Sequence, residues 1–309
     1  MKDLIKRILD RERRLIHNYQ LAILHSEDIP SKSRTIQIYL RLRLLIERFL
    51  VCHTHFWISD GLFTTMFLAL KKGDVFVDAG ANWGQYTWHA AFLVGPHGKV
   101  HSIEPSPTII KLLRKWVACM GQKNVVITEA ALGSRMGKET LYEFAENYGG
   151  ASSIRGGAWP GHQHDTQTEV TLITLDDYVE RNQIGPIRLI NVDAQGSEID
   201  ILHGATRVLT QTTPPVLFVE LERDANVAFG HTLNDLLAVI HNFGYMTFSW
   251  RPNGLIQINS QKNVTADTGH DDVICLNPNF HNHLITKLQK LADHRRSFLT
   301  HLIGRDIYS

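Results

Sequence analysis

The spacing of apolar residues changes character near residue 74. Before it, Leu4/Ile5, Ile8/Leu9, Leu15/Ile16, Tyr19 and Ala22 recur at helical intervals until Pro30-Ser31 break the run. A second apolar-rich segment, Ile36 to Val51, reads as a helix, although IQIYLRLRL alternates well enough for a strand. A third, Thr64 to Leu70, stops at Lys71-Lys72-Gly73. From Asp74 onward short apolar runs alternate with helical stretches, the rhythm of βαβ units around a largely parallel sheet. The expected strands are 75–80, 99–105, 125–130, 187–193, 215–221, 245–250 and 272–278, with helices near 85–94, 107–120, 198–210 and 231–243. At the end of the chain Leu284, Leu288, Leu291, Phe298 and Leu302 form one stripe. It predicts an amphipathic helix that buries the stripe on the body or on a second subunit, so a homodimer through the terminal helices is one expectation.

The pattern therefore predicts an α/β chain in three parts: an N-terminal helical region (1–70), a doubly wound, mostly parallel seven-stranded Rossmann-like sheet (71–280), and a C-terminal amphipathic helix (281–309). In such sheets ligands sit at the carboxyl ends of the strands, where the strand order reverses.

Composition narrows the class. Of 309 residues, 43% are hydrophobic and 20% charged, and the counts of Gly (22), Pro (10) and Cys (3) exclude collagen-like, disordered and disulfide-scaffold chains. Cys52, Cys119 and Cys275 are odd in number and lack C-x-x-C spacing, which predicts reduced thiols and a cytoplasmic setting. No apolar run reaches the roughly 18–20 residues of a membrane span, and MKDLIKRILDRERRL is too charged for a signal-peptide core. Charge is uneven: residues 1–55 carry 11 Lys/Arg against 6 Asp/Glu, whereas residues 56–279 carry 16 against 23. Without aromatic interleaving the basic arm reads as a solvated helix face, and no nucleic-acid partner is expected.

The chemistry concentrates in Asp78-Ala79-Gly80-Ala81-Asn82-Trp83-Gly84-Gln85-Tyr86-Thr87. A β-branched run ends in an acid, turns through small residues and enters a helix, so a ligand can approach the backbone there. The spacing is G-x-N-x-G rather than G-x-G-x-x-G. A carboxylate at Asp78 would repel a diphosphate and favour an ammonium or sulfonium, which disfavours a dehydrogenase. Glu104, some twenty residues on and followed by Pro105, suits the ribose hydroxyls of an adenine nucleoside. On this reading Glu104→Ala abolishes cofactor binding and leaves the fold intact.

The ordered set DAGANWGQYT, IEP, NVVITEAALG, VTLITLDDY, INVDAQGSEIDILHGA and PPVLFVE resembles the FkbM family of S-adenosylmethionine-dependent methyltransferases over roughly residues 73–250. The resemblance implies a class I methyltransferase fold and S-adenosyl-L-methionine as cofactor. Asp78, Gly80, Asn82 and Gly84 would line its methionine half, with Tyr86 and Thr87 nearby. Glu104 would hold the ribose with Ser106 beside it, and Glu129 and Ala130 would border the adenine. Where the family usually has Lys this chain has Asn191, and Gln195 stands where Glu is common.

Methyl transfer to an alcohol calls for a positioned base. Asp193, Glu198 and Glu220, at the ends of adjacent strands or just beyond, are the candidates. Glu198 also reads as a helix-start acid, and Glu220 as a structural hydrogen-bond acceptor. Asp193 and Glu220 match a Mg²⁺ site in type but not by any diagnostic spacing. His162-Gln163-His164-Asp165 and His53-Thr54-His55 resemble metal clusters only superficially, so no metal is assigned. The long Gly-rich loop 147–168, with Ser152, Ser153, Arg155 and Trp159, suits an acceptor-binding lid. The expected function is O-methylation of a hydroxyl on a sugar, glycoconjugate or secondary metabolite. The competing expectation is a non-catalytic nucleoside-binding module docking a partner through its basic N-terminal helices.

Overall fold

The computed structural model describes residues 38, 61–143, 153–154, 166–251, 254–264 and 270–303. Apart from Ile38, the first two expected helices lie outside them, as do Cys52, Arg155, Trp159, the His162–Asp165 cluster and the His53/His55 pair.

The chain is followed from α1 (Gly61–Ala69) into β1 (Val75–Ala79), α2 (Gln85–Val94), β2 (Lys99–Glu104), α3 (Pro107–Cys119) and β3 (Val125–Glu129). It then leaves the main sheet for β4 (Ala131–Leu132), β5 (Gly137–Glu143) and β6 (Thr166–Ile173). It returns through α4 (Leu175–Arg181), β7 (Ile187–Val192), α5 (Glu198–His203), α6 (Thr206–Leu209), β8 (Val216–Glu222), α7 (Arg223–Ala228) and α8 (Leu233–Asn242). The antiparallel pair β9 (Met246–Arg251) and β10 (Gly254–Gln257) leads to β11 (His270–Leu276) and the long helix α9 (Pro278–Ile303).

All seven expected strands form, but the main sheet has eight, ordered β10-β9-β11-β8-β7-β1-β2-β3. This corrects the seven-strand expectation: Gly254–Gln257 is a short strand at the edge of the sheet, paired with β9, and so carries too few residues to announce itself. Strands β3, β2, β1, β7 and β8 run parallel, β11 is antiparallel to both β8 and β9, and β10 is antiparallel to β9. The strand order reverses between β1 and β7, so their carboxyl ends flank the crevice where such sheets take ligands.

Side-chain alternation divides the core into two layers. Phe76, Leu189, Phe218 and Ile274 pack against α1, α2, α3 and α9 on one face, while Val77, Ile190, Val219 and Val273 pack against α4, α5, α6 and α8 on the other. The stripe of α9 turns inward: Leu284, Leu288 and Leu291 are at most 2% exposed. This described part of the stripe is buried on the chain's own body rather than left for a second subunit.

Several helix starts follow directly from sequence. Ser106 caps α3 by accepting from Ile109 N–H, with Pro107 at the first helical position. Thr174 caps α4, and Thr232 with Asp235 forms a full capping box on α8. The second sheet, ordered β4-β6-β5, was not expected as strands. It docks where Gly204 meets Gly133: a Cβ on Gly204 would lie 2.0 Å from the Gly133 carbonyl oxygen, so only glycine permits the approach. Among the described residues no helix is long and apolar enough to cross a membrane.

Candidate active site

Two cavities open at the carboxyl ends of the parallel strands, and Asp193 borders both. The first, of about 180 Å³, is floored by Gly80 and Asn82 from the β1 turn, Glu104 and Pro105 from the end of β2, and Ala194 and Gln195 after β7. Its remaining wall is mostly apolar, with Ile109 of α3, Leu132 of β4, Leu141 of β5 and Ile154, and also carries Asp193 and Ser197. Ile154 follows Ser153, which makes a two-way backbone bridge with Tyr142, and the Ser153 hydroxyl lies 3.3 Å from the Gln195 carbonyl oxygen. Part of the loop expected to cover the site therefore does reach it.

The β1 turn is held open by backbone geometry. Gly80 has φ +79, and a Cβ there would fall 1.7 Å from the Asp193 carbonyl oxygen. Gly80 and Ala81 N–H both donate to the Ile103 carbonyl, at 3.0 and 3.1 Å. Asn82, also at positive φ, accepts the Trp83 N–H on its own side chain at 2.7 Å. Any side chain at position 80 would push β1 from β7 and close the crevice.

Glu104 is the central polar group of this cavity. Oε2 accepts the Asn82 N–H at 2.9 Å and Oε1 accepts the Ser106 N–H at 3.0 Å. Each oxygen thus keeps acceptor capacity for a hydroxyl. Burial pushes the carboxyl up to about 7, against the downward pull of these two bonds. A carboxylate fixed by two backbone donors, a glycine cradle and an apolar wall together suit a nucleoside: hydroxyls for Glu104 and a flat ring for the wall.

Other expected residues take different positions. Asp78 is fully buried beneath the turn. Its Oδ2 accepts the Thr87 hydroxyl at 2.6 Å and its Oδ1 the Asn191 amide at 2.9 Å, and burial raises it to about 6. Asp78 and Thr87 therefore tie β1, α2 and β7 together instead of facing a ligand, and the expected pull of Asp78 on a sulfonium is corrected to support from below. The Ser106 hydroxyl is likewise committed, to the Ile109 N–H and the Glu143 carboxylate. Ser106 meets Glu104 through its backbone instead. Gly84, at φ +95, starts α2 with its α-carbon against Leu113, where a Cβ would fall 2.5 Å from Cδ1; it is a packing position. Glu129 is exposed and absent from the cavity wall, because it ends an edge strand, whereas neighbouring Ala130 borders the cavity.

Glu198 also departs from expectation. It is 0% exposed and its Oε1 accepts the N–H groups of Ala194 and Gly196, at 3.0 and 3.1 Å. From the first position of α5 it reaches back to close the 194–197 loop, and it borders neither cavity. This removes it from the catalytic candidates. Burial raises it to about 7.

The second cavity, about 140 Å³, is bordered by Tyr86, Asn191, Asp193, Phe218, Glu220 and Asp272. Tyr86 thus stands here rather than in the first cavity, with its ring 5.3 Å from that of Phe63. Gln195 bridges two of the expected acids: its Nε2 donates to Glu220 Oε2 at 2.9 Å and to Asp193 Oδ1 at 3.2 Å. Burial, then the negative charges of Asp193 and Glu198, hold Glu220 well above the usual carboxylate range, with a hydrogen bond to Asp193. Sequence reasoning noted Gln195 only as a departure from pattern. Its bridging role had one readable signal, its position between two strand-end acids. Leu132, Leu141 and Ile154 had none, because a second sheet and a loop bring them in, whereas Ile109 lies in the first turn of the helix expected after β2.

The Methyltransferase FkbM domain model matches residues 78–246, from the end of β1 to the start of β9. No curated protein matches the chain. Similar solved structures include precorrin-6y C5,15-methyltransferase from Geobacter metallireducens GS-15, at 14% identity over 68% of this chain and 83% of that chain, with a TM-score of 0.38. Fibrillarin from Aeropyrum pernix, with natively bound S-adenosyl-L-methionine, matches at 12% identity over 67% and 68%, TM-score 0.40. An rRNA methylase from Streptococcus thermophilus matches at 13% identity over 72% and 99%, TM-score 0.39.

Proposed function

The chain belongs to the FkbM methyltransferase family, and from this premise we infer how its residues serve an S-adenosylmethionine-dependent methyl transfer and to what. The donor supplies, when bound, an electrophilic methyl group on a positively charged sulfur. Glu104 would take the ribose hydroxyls, the wall of Ile109, Leu132, Leu141 and Ile154 the adenine, and the Gly80–Asn82 backbone the methionine end. The nucleophile is proposed to be a hydroxyl of a sugar, glycoconjugate or secondary metabolite, entering through the second cavity.

The observation that carries this reading is the position of Asp193 on the wall of both cavities. A hydroxyl brought to that junction lies beside a carboxyl pair, Asp193 and Glu220, linked by a hydrogen bond and by Gln195. Two adjacent carboxyls that are both ionised have a high affinity for the first proton they come to share, because that proton relieves the repulsion between them. The pair therefore accepts the hydroxyl proton as the oxygen attacks, while Gln195 keeps both side chains in place. Positioning the oxygen supplies much of the remaining acceleration. The buried thiols Cys119 and Cys275 support a reducing, cytoplasmic setting.

Asp193→Asn tests the assignment. S-adenosylhomocysteine affinity, read by calorimetry, should stay within a few-fold of wild type, and turnover on a panel of alcohol acceptors should drop about 10²–10⁴-fold. Full turnover in the variant would remove Asp193 from the mechanism.

A further inference from the structure

The second cavity carries a polar atom that the proposed chemistry does not use. Asn191 is 1% exposed, and its Oδ1 has no hydrogen-bond partner. Its Nδ2 must face Asp78, since the reverse orientation would set the amide oxygen against a carboxylate that already accepts from Thr87. The atom left for the cavity that Asn191 borders is therefore an acceptor. A buried acceptor without a donor is costly, about 1–3 kcal/mol, so such a group marks a place for one.

The rest of the wall points to the sign of that donor. Asp193, Glu220 and Asp272 bring three carboxyls to one small cavity, and Glu220 and Asp272 are direct register partners across β8 and β11. The upward push on Glu220 comes in part from the charges of Asp193, Glu198 and Asp272, so the local field is negative. A negative field inside a low-dielectric pocket attracts a cation far more than a neutral hydroxyl. Phe218 and Tyr86 add aromatic rings, which also attract cations. Aromatic faces beside the carboxyls suit an organic cation.

We propose that the methyl acceptor carries an ammonium group, and that this group docks in the cavity against the Asn191 amide oxygen and the carboxyls of Asp193, Glu220 and Asp272. The acceptor is then an aminated polyol, such as an amino sugar or amino alcohol, rather than a neutral one. The proposal rests on the methyltransferase reading of the adjoining cavity and narrows its substrate class. The ammonium anchors the molecule while a neighbouring hydroxyl reaches Asp193.

The test uses the full chain saturated with S-adenosylhomocysteine and two probes that differ at one position, 1-amino-1-deoxysorbitol and sorbitol. Binding is read by calorimetry and saturation-transfer NMR near neutral pH. The aminated probe should bind at least tenfold more tightly. Asn191→Lys, which puts a cation into the cavity, and Asp272→Asn, which removes a carboxylate at constant size, should each cut that preference at least fivefold. Asp272→Asn covers the case in which Asn191→Lys does not fold. Equal affinity for the two probes, no binding of either, or an unchanged preference in Asp272→Asn overturns the proposal. In all three outcomes intact S-adenosylhomocysteine binding leaves the methyltransferase reading standing. Loss of that binding in the wild-type protein would instead overturn the reading itself.

Discussion

Glu104 does two jobs with one carboxylate. It offers lone pairs to the first cavity and also satisfies the N–H groups of Asn82 and Ser106. The expectation that Glu104→Ala would leave the fold untouched therefore needs revision. Each backbone donor stripped of its acceptor costs about 1–3 kcal/mol when buried. Glu104→Gln is the better probe: its oxygen keeps one acceptor, and its NH₂ group meets the other N–H. Calorimetry should give an S-adenosylhomocysteine affinity at least tenfold weaker than wild type, and urea denaturation a loss of about 1–3 kcal/mol. A second signature is pH. With the carboxyl near 7, the ionised form that hydroxyls bond most strongly becomes dominant as pH rises. Wild-type affinity should therefore improve up to about tenfold from pH 6 to pH 8, and Glu104→Gln should flatten that dependence.

At the level of elements, the site depends on parts the main sheet does not contain. β5 supplies Leu141 and pins Ser153, which delivers Ile154, while β4 supplies Leu132. On the opposite face α9 and α1 cover the sheet, and the Ala69 carbonyl at the end of α1 accepts Arg188 Nε of β7 at 3.0 Å. Leu288 is 0% exposed in this layer. Leu288→Ala should destabilise the protein by about 2–5 kcal/mol in urea denaturation, with an unchanged denaturant slope. A variant of wild-type stability would mean that α9 does not pack on the body. The helices themselves were readable because their signals are local: Ser106-Pro107, Thr174 and Thr232 with Asp235 act within one turn. β5 and β6 were not, since their burial pattern is broken by exposed residues on the face turned to solvent.

Across the whole molecule, buried acids and buried histidines oppose each other. Asp78 is raised to about 6, Glu104 and Glu198 to about 7, and Glu220 well above the usual carboxylate range, chiefly by burial. These groups hold a proton in the folded state that the unfolded chain has already lost, so their contribution is full in acid and disappears as pH climbs to about 7. His101 and His281, lowered to about 4 by burial, work the other way, since stability is gained as pH rises from about 4 to 6.5. Above about 6.5 only the acids still titrate, so the apo protein should be less stable at pH 8 than at pH 6.5. Glu198→Gln keeps an acceptor for the Ala194 and Gly196 N–H groups and removes the buried charge. It should raise stability at pH 8 by about 1–3 kcal/mol and flatten the decline, measured by urea denaturation at both pH values. An unaltered pH slope would show that Glu198 stays ionised in the fold. The alternation of apolar runs fixed the α/β class, seven strands, and the turn and strand-end acids, because each is encoded within a few neighbouring residues. Whether Asp78, Ser106 and Glu198 face a ligand or the protein, and whether Gln195 joins Asp193 to Glu220, was decided only in three dimensions. A hydrogen bond's partner depends on which strands end side by side, and no local pattern in the chain carries that information.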